Sequence, residues 1–227
     1  MFLKDEHKNV PIECELFEDE VLEDIGGGLK IIQSRNAYRF SEDSVLFADF
    51  VEVSPDESLL DLGTGSGILP LLIIQKEESL NITGIEIHQK LADMARRSIK
   101  YNNLEEKITI VHGDLREADK LFPADKWDKL ITNPPYFRAD EGRISPNNSV
   151  AIAKHEIECT LADILKATCL LLKPGGSFYI VYTYQRLDEL VSLCRENRLI
   201  PCEVYPIRVH ENELPRLILV KCLYMKS

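Results

Sequence analysis

The sequence segment with the clearest chemical meaning is Asn133-Pro-Pro-Tyr136. An amino group conjugated to a ring or a carbonyl is a poor nucleophile because its lone pair is delocalised, so an enzyme must hold its hydrogens in a geometry that frees that pair. The side-chain oxygen of Asn133 and the main-chain carbonyl of Pro134 can accept these hydrogens, and Tyr136 offers a ring for stacking a planar base. Asn-Pro-Pro is also a common turn. The candidate catalytic residues are Asn133, Pro134 and Tyr136, and Pro135 is a candidate substrate contact.

A glycine-rich turn, Asp61-Leu-Gly-Thr-Gly-Ser-Gly67, directly follows a short apolar segment. Its glycines allow the backbone to turn tightly and to approach a ligand closely, ahead of a helix whose dipole points to the same place. Nucleotide and nicotinamide binders share such a turn, so alone it does not identify the ligand. The candidate cofactor-binding glycines are Gly63, Gly65 and Gly67.

Three acidic residues favour S-adenosylmethionine over a nucleotide or a nicotinamide cofactor as the ligand of this turn. Asp61 can receive the ammonium of the methionine moiety, and Glu86, at the end of the next predicted strand, can accept from ribose hydroxyls. Asp114 ends the third predicted strand and can accept from the adenine amino group. Each acid taken singly could instead be a solvated loop residue or a helix cap. Together they predict a site for this cofactor, and Asn133 is a candidate cofactor-binding residue as well.

Apolar periodicity predicts the elements that must position these residues. Strands are expected at 58–62, 81–87, 107–111, 127–132 and 177–183, and helices at 68–76, 91–102, 161–172 and 186–197. Two more strands, 201–209 and 216–223, are joined by a polar turn too short for a crossover helix, so they must be antiparallel. The predicted fold class is therefore α/β, and a parallel sheet finished by one reversed strand resembles the class I methyltransferase (Rossmann-like) fold. Its seven-stranded, mostly parallel sheet has an antiparallel last strand and helices on both faces.

Composition limits the remaining possibilities. A chain of 227 residues with 44% hydrophobic residues supports one large α/β domain, which we place at 36–227, after an amino-terminal extension (1–35) that is a possible small hairpin. Its acidic run is interpreted as a solvated face. The six cysteines form no C-x-x-C pair, so no metal is expected. With no signal peptide or membrane-spanning segment, a cytoplasmic protein is expected.

The formal net charge of −11 argues against general, sequence-blind nucleic-acid binding, although a local basic groove remains compatible with it. A polar stretch without periodicity follows Tyr136 and is interpreted as a substrate loop. Its basic residues could form such a groove, or they could be scattered solubilising charge. The candidates are Arg138, Arg143 and Lys154, joined by Arg35 and Arg39.

The chain resembles the N-P-P-Y amino-methyltransferases, and within them the bacterial tRNA-valine adenine-37 N6-methyltransferase family. The resemblance rests on Asn133-Pro-Pro-Tyr136, on Tyr38-Arg-Phe-Ser-Glu-Asp-Ser-Val-Leu-Phe-Ala48 and on Ala153-Lys-His-Glu156. Relatives tend to have arginine where this chain has Lys154, which lacks the planar fork that grips phosphate. In such enzymes the segment before the first strand covers the methionine end of the cofactor. The resemblance therefore implies cofactor contacts by Phe40, Ser41, Asp43 and Leu46.

His155 belongs to the predicted substrate-binding residues, but a role as general base is not favoured. The methylated nitrogen becomes acidic only after transfer, so its proton can leave to water, and positioning supplies most of the rate. His155 and Glu156 are therefore expected to form supporting hydrogen bonds.

Three functions are compatible with these residues. The leading hypothesis is N6-methylation of an adenine in structured RNA, in particular in the anticodon loop of a tRNA, with S-adenosylmethionine as cofactor and no membrane or metal partner. Methylation of a glutamine amide in a protein uses the same tetrapeptide, but the long amino-terminal helical domain of release-factor methyltransferases is missing. A non-catalytic S-adenosylmethionine-binding module is the third hypothesis, and the intact set of acids with Asn133 argues against it.

Overall fold

The computed structural model of this chain describes residues 15–35, 42–134, 159–208 and 214–226. Nine strands and six α-helices lie within these ranges. The strands are β1 (Glu20–Asp24), β2 (Lys30–Ser34), β3 (Ser58–Leu62), β4 (Asn81–Glu86), β5 (Ile108–His112), β6 (Trp127–Thr132), β7 (Leu172–Thr183), β8 (Leu199–Ile207) and β9 (Leu217–Tyr224). The helices are α1 (Glu42–Phe50), α2 (Ile68–Ile74), α3 (Gln89–Tyr101), α4 (Ala118–Leu121), α5 (Leu161–Leu171) and α6 (Leu187–Glu196).

Seven of the strands form one sheet in the order β5-β4-β3-β6-β7-β9-β8. Neighbouring strands are parallel from β5 to β7, whereas β9 is antiparallel to both β7 and β8. The predicted fold class is confirmed, including the reversed last strand. That strand does not form the edge of the sheet, because β9 inserts between β7 and β8 and leaves β8 outermost.

Both faces of the sheet are covered, which explains why its central strands are nearly continuous apolar runs. On one face Leu60 and Leu62 belong to a buried cluster with α4, α5 and α6. On the other face Leu59 packs in a second cluster with α1, α2 and α3. Because side chains alternate along a strand, Asp61 shares the face of Leu59 and lies beneath the helices of the second cluster.

The strand β7 is longer than the sequence predicted. Helix α5 ends at Leu171, as the Lys173-Pro-Gly-Gly176 stop signal indicated, but β7 starts at Leu172 and runs through that signal. The pairing with β6 shifts register between Trp127 and Lys129, which accommodates the extra residues. A Cβ atom on Gly176 would lie 2.9 Å from the Asp128 carbonyl oxygen, so glycine permits the close approach.

The strands β1 and β2 form a separate antiparallel hairpin that packs on α3. Side chains of α3 satisfy the free backbone edge of β2: Asn102 Oδ1 accepts from the Lys30 amide at 2.9 Å, and Ser98 Oγ accepts from the Ile32 amide at 2.9 Å. Ile32 is fully buried. The hairpin is thus fixed to the sheet domain, and the division of the chain at residue 36 stays a prediction.

The interpretation of the acidic run as a solvated face is wrong for Glu20. Its carboxylate is buried, and it accepts two hydrogen bonds from the Arg97 guanidinium at 2.7 and 2.6 Å. These bonds lower the pKa of Glu20 against the opposing effect of burial. Asp19 pairs in turn with Lys90 at 2.9 Å. Both acids therefore pair with α3, and the buried Glu20 holds the hairpin there, a role that local sequence composition cannot reveal.

Among the described residues, no helix is both long and apolar enough to cross a membrane. Within the same ranges no group of three or more His, Cys, Asp and Glu side chains could hold a metal ion. The five cysteines that the structure describes are free thiols.

Candidate active site

The two predicted motifs meet where β3 and β6 end. These parallel strands pair with Asp61 opposite Ile131, so the next residues, Leu62 and Thr132, also lie side by side. The Thr132 hydroxyl donates a hydrogen bond to the Leu62 carbonyl oxygen at 2.8 Å in a buried environment. Asn133 therefore directly follows Thr132, whose side chain is hydrogen-bonded to Leu62 at the start of the glycine turn.

The glycine turn depends on backbone angles that other residues rarely adopt. Gly63, Gly65 and Gly67 have φ angles of 76°, 59° and 87°. The amides of Gly63 and Thr64 both donate to the Ile85 carbonyl at the end of β4, at 2.9 and 3.0 Å. Among the described residues, a Cβ atom on Gly63 or Gly65 would meet no atom within 4 Å, so none of them blocks the approach of a cofactor to the turn.

Glu86, the last residue of β4, holds the turn from the neighbouring strand. Its carboxylate is buried and accepts from the Gly65 amide and from the His88 amide, each at 2.9 Å. Each carboxylate oxygen has a second lone pair, so both oxygens can still accept from ribose hydroxyls. Glu86 thus has a structural role that the sequence did not predict, beside its predicted role in cofactor binding.

Asp61 is fully buried, and within the described part of the chain neither of its carboxylate oxygens has a hydrogen-bond partner. Burial raises the pKa of Asp61 to about 7; the nearby Thr64 hydroxyl opposes this shift without forming a hydrogen bond of normal geometry, and the charge of Glu86 adds to it. A buried carboxylate without a partner is costly. The ammonium of a methionine moiety is the complement that this site lacks, so the residues present fit S-adenosylmethionine.

Asp114 lies just beyond the end of β5, at the same edge of the sheet as Asp61 and Glu86. Its carboxylate caps the following 3-10 turn by accepting from the Arg116 amide at 2.9 Å, and it also binds the Arg116 guanidinium. These bonds lower the pKa of Asp114, so the group is ionised at neutral pH. Asp114 therefore lies at the same strand ends as the other two acids, but its carboxylate is shared with Arg116, and its contact with the cofactor adenine stays a prediction.

A known protein family matches most of this chain. Residues 36–190 match the family described as "Methyltransferase small domain". The chain belongs to this family. Its fold and glycine turn are thus those of a methyltransferase that uses S-adenosylmethionine, as the sequence predicted.

Curated relatives in this family carry the name tRNA1(Val) (adenine(37)-N6)-methyltransferase. The protein from a Flavobacteriaceae bacterium is 24% identical over 83% of this chain and 78% of its own length. The protein from Tolumonas auensis is 29% identical over 72% of this chain and 67% of its own length. The protein from Porphyromonas gingivalis is 27% identical over 83% of this chain and 76% of its own length.

Solved structures share the family's fold at low identity. A predicted O-methyltransferase from Agrobacterium tumefaciens superposes with a TM-score of 0.63 at 20% identity, covering 79% of each chain. A SAM-dependent O-methyltransferase from Thermotoga maritima gives a TM-score of 0.59 at 18% identity, covering 84% of this chain and 68% of its own. These likenesses support the fold and leave the methyl acceptor open.

The structure brings only part of the predicted site together. Asp61, Glu86, Asp114, the three glycines, Asn133 and Pro134 lie along the carboxyl edge of β3 to β6. Asp43 lies in the first turn of α1, Leu46 is exposed on the same helix, and Arg35 is exposed at the end of the hairpin. The other candidates lie outside the described residues, and their roles stay predictions: Arg39, Phe40, Ser41, Pro135, Tyr136, Arg138, Arg143, Lys154, His155 and Glu156.

Three residues important to the site were missed from the sequence. Thr64 has a buried hydroxyl that, like the Asp61 carboxylate, has no partner among the described residues. Thr132 joins the two motifs, and Lys76 binds the carboxyl end of α1 through the carbonyls of Ala48, Asp49 and Val51. The positions of Thr64 inside the glycine turn and of Thr132 directly before Asn133 were signals that could have been used. No local signal marks Lys76.

Proposed function

We propose that this chain transfers a methyl group from S-adenosylmethionine to N6 of an adenine in structured RNA, most directly an anticodon-loop adenine of a tRNA in the cytoplasm. The observation that carries this proposal is the position of Asn133-Pro134 beside the glycine turn, joined to it by the Thr132–Leu62 hydrogen bond at 2.8 Å. The curated relatives that bear a tRNA adenine-N6 name support the choice of acceptor.

The rate of this reaction depends mainly on how the adenine amino group is positioned relative to the methyl group of the cofactor. Bound S-adenosylmethionine supplies an electrophilic methyl group on its sulfonium. Asn133 Oδ1 and the Pro134 carbonyl oxygen accept the two hydrogens of the adenine amino group, which turns its nitrogen lone pair towards that methyl. Asp61, Glu86 and Asp114 hold the cofactor from three neighbouring strands. The proton of the methylated amine then leaves to water, so the reaction needs no dedicated base.

Replacing Asn133 tests this function. Purified wild type, Asn133→Ala and the control Asn81→Ala are incubated with S-adenosylmethionine and tRNA from cells that lack the protein, and modified nucleosides are measured by mass spectrometry. The control makes the same side-chain truncation as Asn133→Ala. Asn81 is exposed at the start of β4, at the opposite end of the strand from the site, so its loss should leave activity unchanged. We expect N6-methyladenosine with wild type and with the control, and a loss of at least roughly 100-fold with Asn133→Ala under conditions in which that variant still binds the cofactor.

Two results would overturn the proposed function. One is full methylation by Asn133→Ala while the cofactor stays bound. The other is that wild type leaves adenine in tRNA unmodified but methylates a glutamine amide in a protein, which uses the same hydrogen-bond geometry.

A further inference from the structure

The side chain of Thr64, which lies between two glycines of the turn, is buried against β4. Only 4% of this residue is exposed. The Thr64 amide donates to the Ile85 carbonyl oxygen at 3.0 Å, and the Thr64 carbonyl oxygen accepts from the Gly67 amide at 3.0 Å. Because both backbone groups are bonded, the conformation of the turn fixes where the side chain lies.

Gly84 leaves the space that the Thr64 side chain occupies. In the parallel pairing of β3 with β4, Gly84 lies opposite Asp61. A Cβ atom on Gly84 would lie 2.8 Å from both Oγ1 and Cγ2 of Thr64, which is closer than real Cβ atoms come to a neighbour. Residues that pair in a sheet present their side chains on the same face. The glycine at position 84 therefore brings the Thr64 hydroxyl beside the Asp61 carboxyl.

Packing alone does not account for the Thr64 hydroxyl. Among the described residues, neither Thr64 Oγ1 nor the two carboxylate oxygens of Asp61 has a hydrogen-bond partner, and all three atoms are buried. Valine has the shape of threonine and would fill the space over Gly84 without burying an unpaired polar group, which is costly. Buried polar groups are normally paired. Two such groups side by side therefore indicate a site that a ligand completes.

The two groups affect each other before any cofactor is bound. Burial raises the pKa of the Asp61 carboxyl, and the Thr64 hydroxyl opposes this shift without forming a hydrogen bond of normal geometry. The charge of Glu86, on the next strand, adds to the rise. A cationic ammonium beside Asp61 would favour the ionised carboxylate, and a carboxylate accepts a hydrogen bond more strongly than a neutral carboxyl does.

We propose that Thr64 is a positioning residue for the cofactor: when S-adenosylmethionine binds, its hydroxyl donates to one Asp61 carboxylate oxygen and holds the carboxylate towards the ammonium of the methionine moiety. A hydroxyl hydrogen rotates to suit its acceptor, so the bond can form with little movement of the chain. The other lone pairs of the carboxylate stay available for the ammonium. The inference rests on the cofactor of the proposed function and does not depend on the methyl acceptor.

A double-mutant cycle of cofactor affinity tests this role. Calorimetric titration with S-adenosylmethionine, at one fixed pH and without RNA, compares wild type, Thr64→Val, Asp61→Asn and the double variant. Thr64→Ser retains the hydroxyl and is the conservative variant. Thr168→Val is the matched control, because Thr168 is also fully buried but lies in α5 on the other face of the sheet. Its hydroxyl donates to the Ile164 carbonyl oxygen at 2.8 Å.

The expected affinities differ between the two backgrounds. Thr64→Val should weaken binding of S-adenosylmethionine roughly tenfold or more, because it removes a hydrogen bond to a charged group. In the Asp61→Asn background the same change should have little effect, since the carboxylate that the hydroxyl serves is gone. Thr64→Ser and Thr168→Val should bind the cofactor nearly as tightly as wild type. Thr64→Ala, which also lacks the hydroxyl, takes the place of Thr64→Val in the cycle if the valine variant does not fold.

Two further measurements separate positioning from a purely structural role. 5′-Methylthioadenosine keeps the adenine, the ribose and the sulfur but lacks the ammonium, so Thr64→Val should bind it as tightly as wild type does. Urea unfolding without cofactor should show Thr64→Val to be at least as stable as wild type, because the variant no longer buries an unpaired hydroxyl. A residue that only shaped the turn would lose affinity for both ligands and stability together.

Three results would overturn the inference: wild-type affinity of Thr64→Val for S-adenosylmethionine, an equal loss in the wild-type and Asp61→Asn backgrounds, or an equal loss for 5′-methylthioadenosine. Each of them leaves the proposed methylation of adenine in RNA standing. If the cycle shows the expected coupling but wild type forms no N6-methyladenosine in tRNA, the proposed function fails and the role of Thr64 stands. No binding of S-adenosylmethionine by wild type would overturn both.

Discussion

The Thr132 hydroxyl donates a hydrogen bond to the Leu62 carbonyl oxygen at 2.8 Å, and this bond joins the glycine turn, which we propose binds the cofactor, to Asn133, which we propose orients the acceptor. Leu62 immediately precedes the glycine turn, and Thr132 immediately precedes Asn133. A shift of either strand end therefore changes the distance between the methyl donor and the nucleophile. Transfer rates depend steeply on that distance.

The first prediction concerns this bond. Thr132→Val keeps the side-chain shape but leaves the buried Leu62 carbonyl without its partner, which costs about 1 to 3 kcal/mol in the free energy of unfolding. We expect kcat to fall roughly tenfold or more, with a smaller change in the KM for S-adenosylmethionine. Thr132→Ser retains the hydroxyl and should keep most of the activity. Equal kcat values for the valine and serine variants would show that the bond does not position Asn133.

The second prediction concerns the pH dependence of cofactor affinity. The pKa of Asp61 is raised to about 7, so the carboxyl is mostly neutral below that pH. A cationic ammonium favours the ionised form, and the affinity for S-adenosylmethionine should rise almost tenfold per unit between about pH 5.5 and 6.5 and then level off near pH 7, below the usual α-amino pKa. Calorimetric titration should show this rise in wild type. A rise of equal size in Asp61→Asn would assign it to another group.

The third prediction concerns the free energy of unfolding of the chain without cofactor. It should fall as the pH rises, whereas the cofactor affinity should increase. The pKa of Asp61 is 3.8 in its ordinary state and about 7 when folded, so the folded chain holds a proton that the unfolded chain releases. Below about pH 4 both states are protonated. From there the free energy of unfolding should fall until about pH 7, by on the order of 4 kcal/mol for this group. Urea unfolding at several pH values should show a weaker fall in Asp61→Asn.

Much of this site follows from the order of the elements. The carboxyl ends of parallel strands share one edge of the sheet, so Asp61, Glu86, Asp114 and Asn133 could be placed together from the sequence alone. The contacts that depend on tertiary packing could not be predicted from the sequence. Glu20 and Arg97 are 77 residues apart, and nothing local distinguishes Glu20 from the exposed acids around it.

Two further features were hidden for different reasons. The sequence predicted the end of β7 at Thr183, but the Lys173-Pro-Gly-Gly176 signal obscured its beginning at Leu172. The attachment of Asp114 to Arg116 is local, but the conformation of the turn decides whether it forms.

The fourth prediction concerns the carboxyl end of α1, which Lys76 binds. Lys76 Nζ donates to the carbonyls of Ala48, Asp49 and Val51 at 2.8, 2.9 and 2.6 Å, so all three ammonium hydrogens are used. Because Lys76 follows α2, it joins the carboxyl end of that helix to the carboxyl end of α1, whose first turn contains the predicted cofactor contact Asp43. Lys76→Met should therefore raise the KM for S-adenosylmethionine severalfold with little change in kcat. Lys100→Met, on α3, is the matched control and should leave both constants unchanged.

The fifth prediction compares two ion pairs that join the hairpin to α3. The side chain of Glu20 is 0% exposed and that of Arg97 is 23% exposed, whereas those of Asp19 and Lys90 are 31% and 62% exposed. Arg97→Met leaves a buried carboxylate without its partner and should lower the free energy of unfolding by on the order of 3 kcal/mol. Lys90→Met breaks a solvated pair and should change it little. Urea unfolding of both variants measures this difference, and equal losses would mean that the hairpin is not held by the buried pair.

Because the pKa of Glu20 is lowered in the folded chain, the stability that Arg97 confers is present at neutral pH and declines as the pH falls below about 4.5. The Arg97→Met variant should lack this decline.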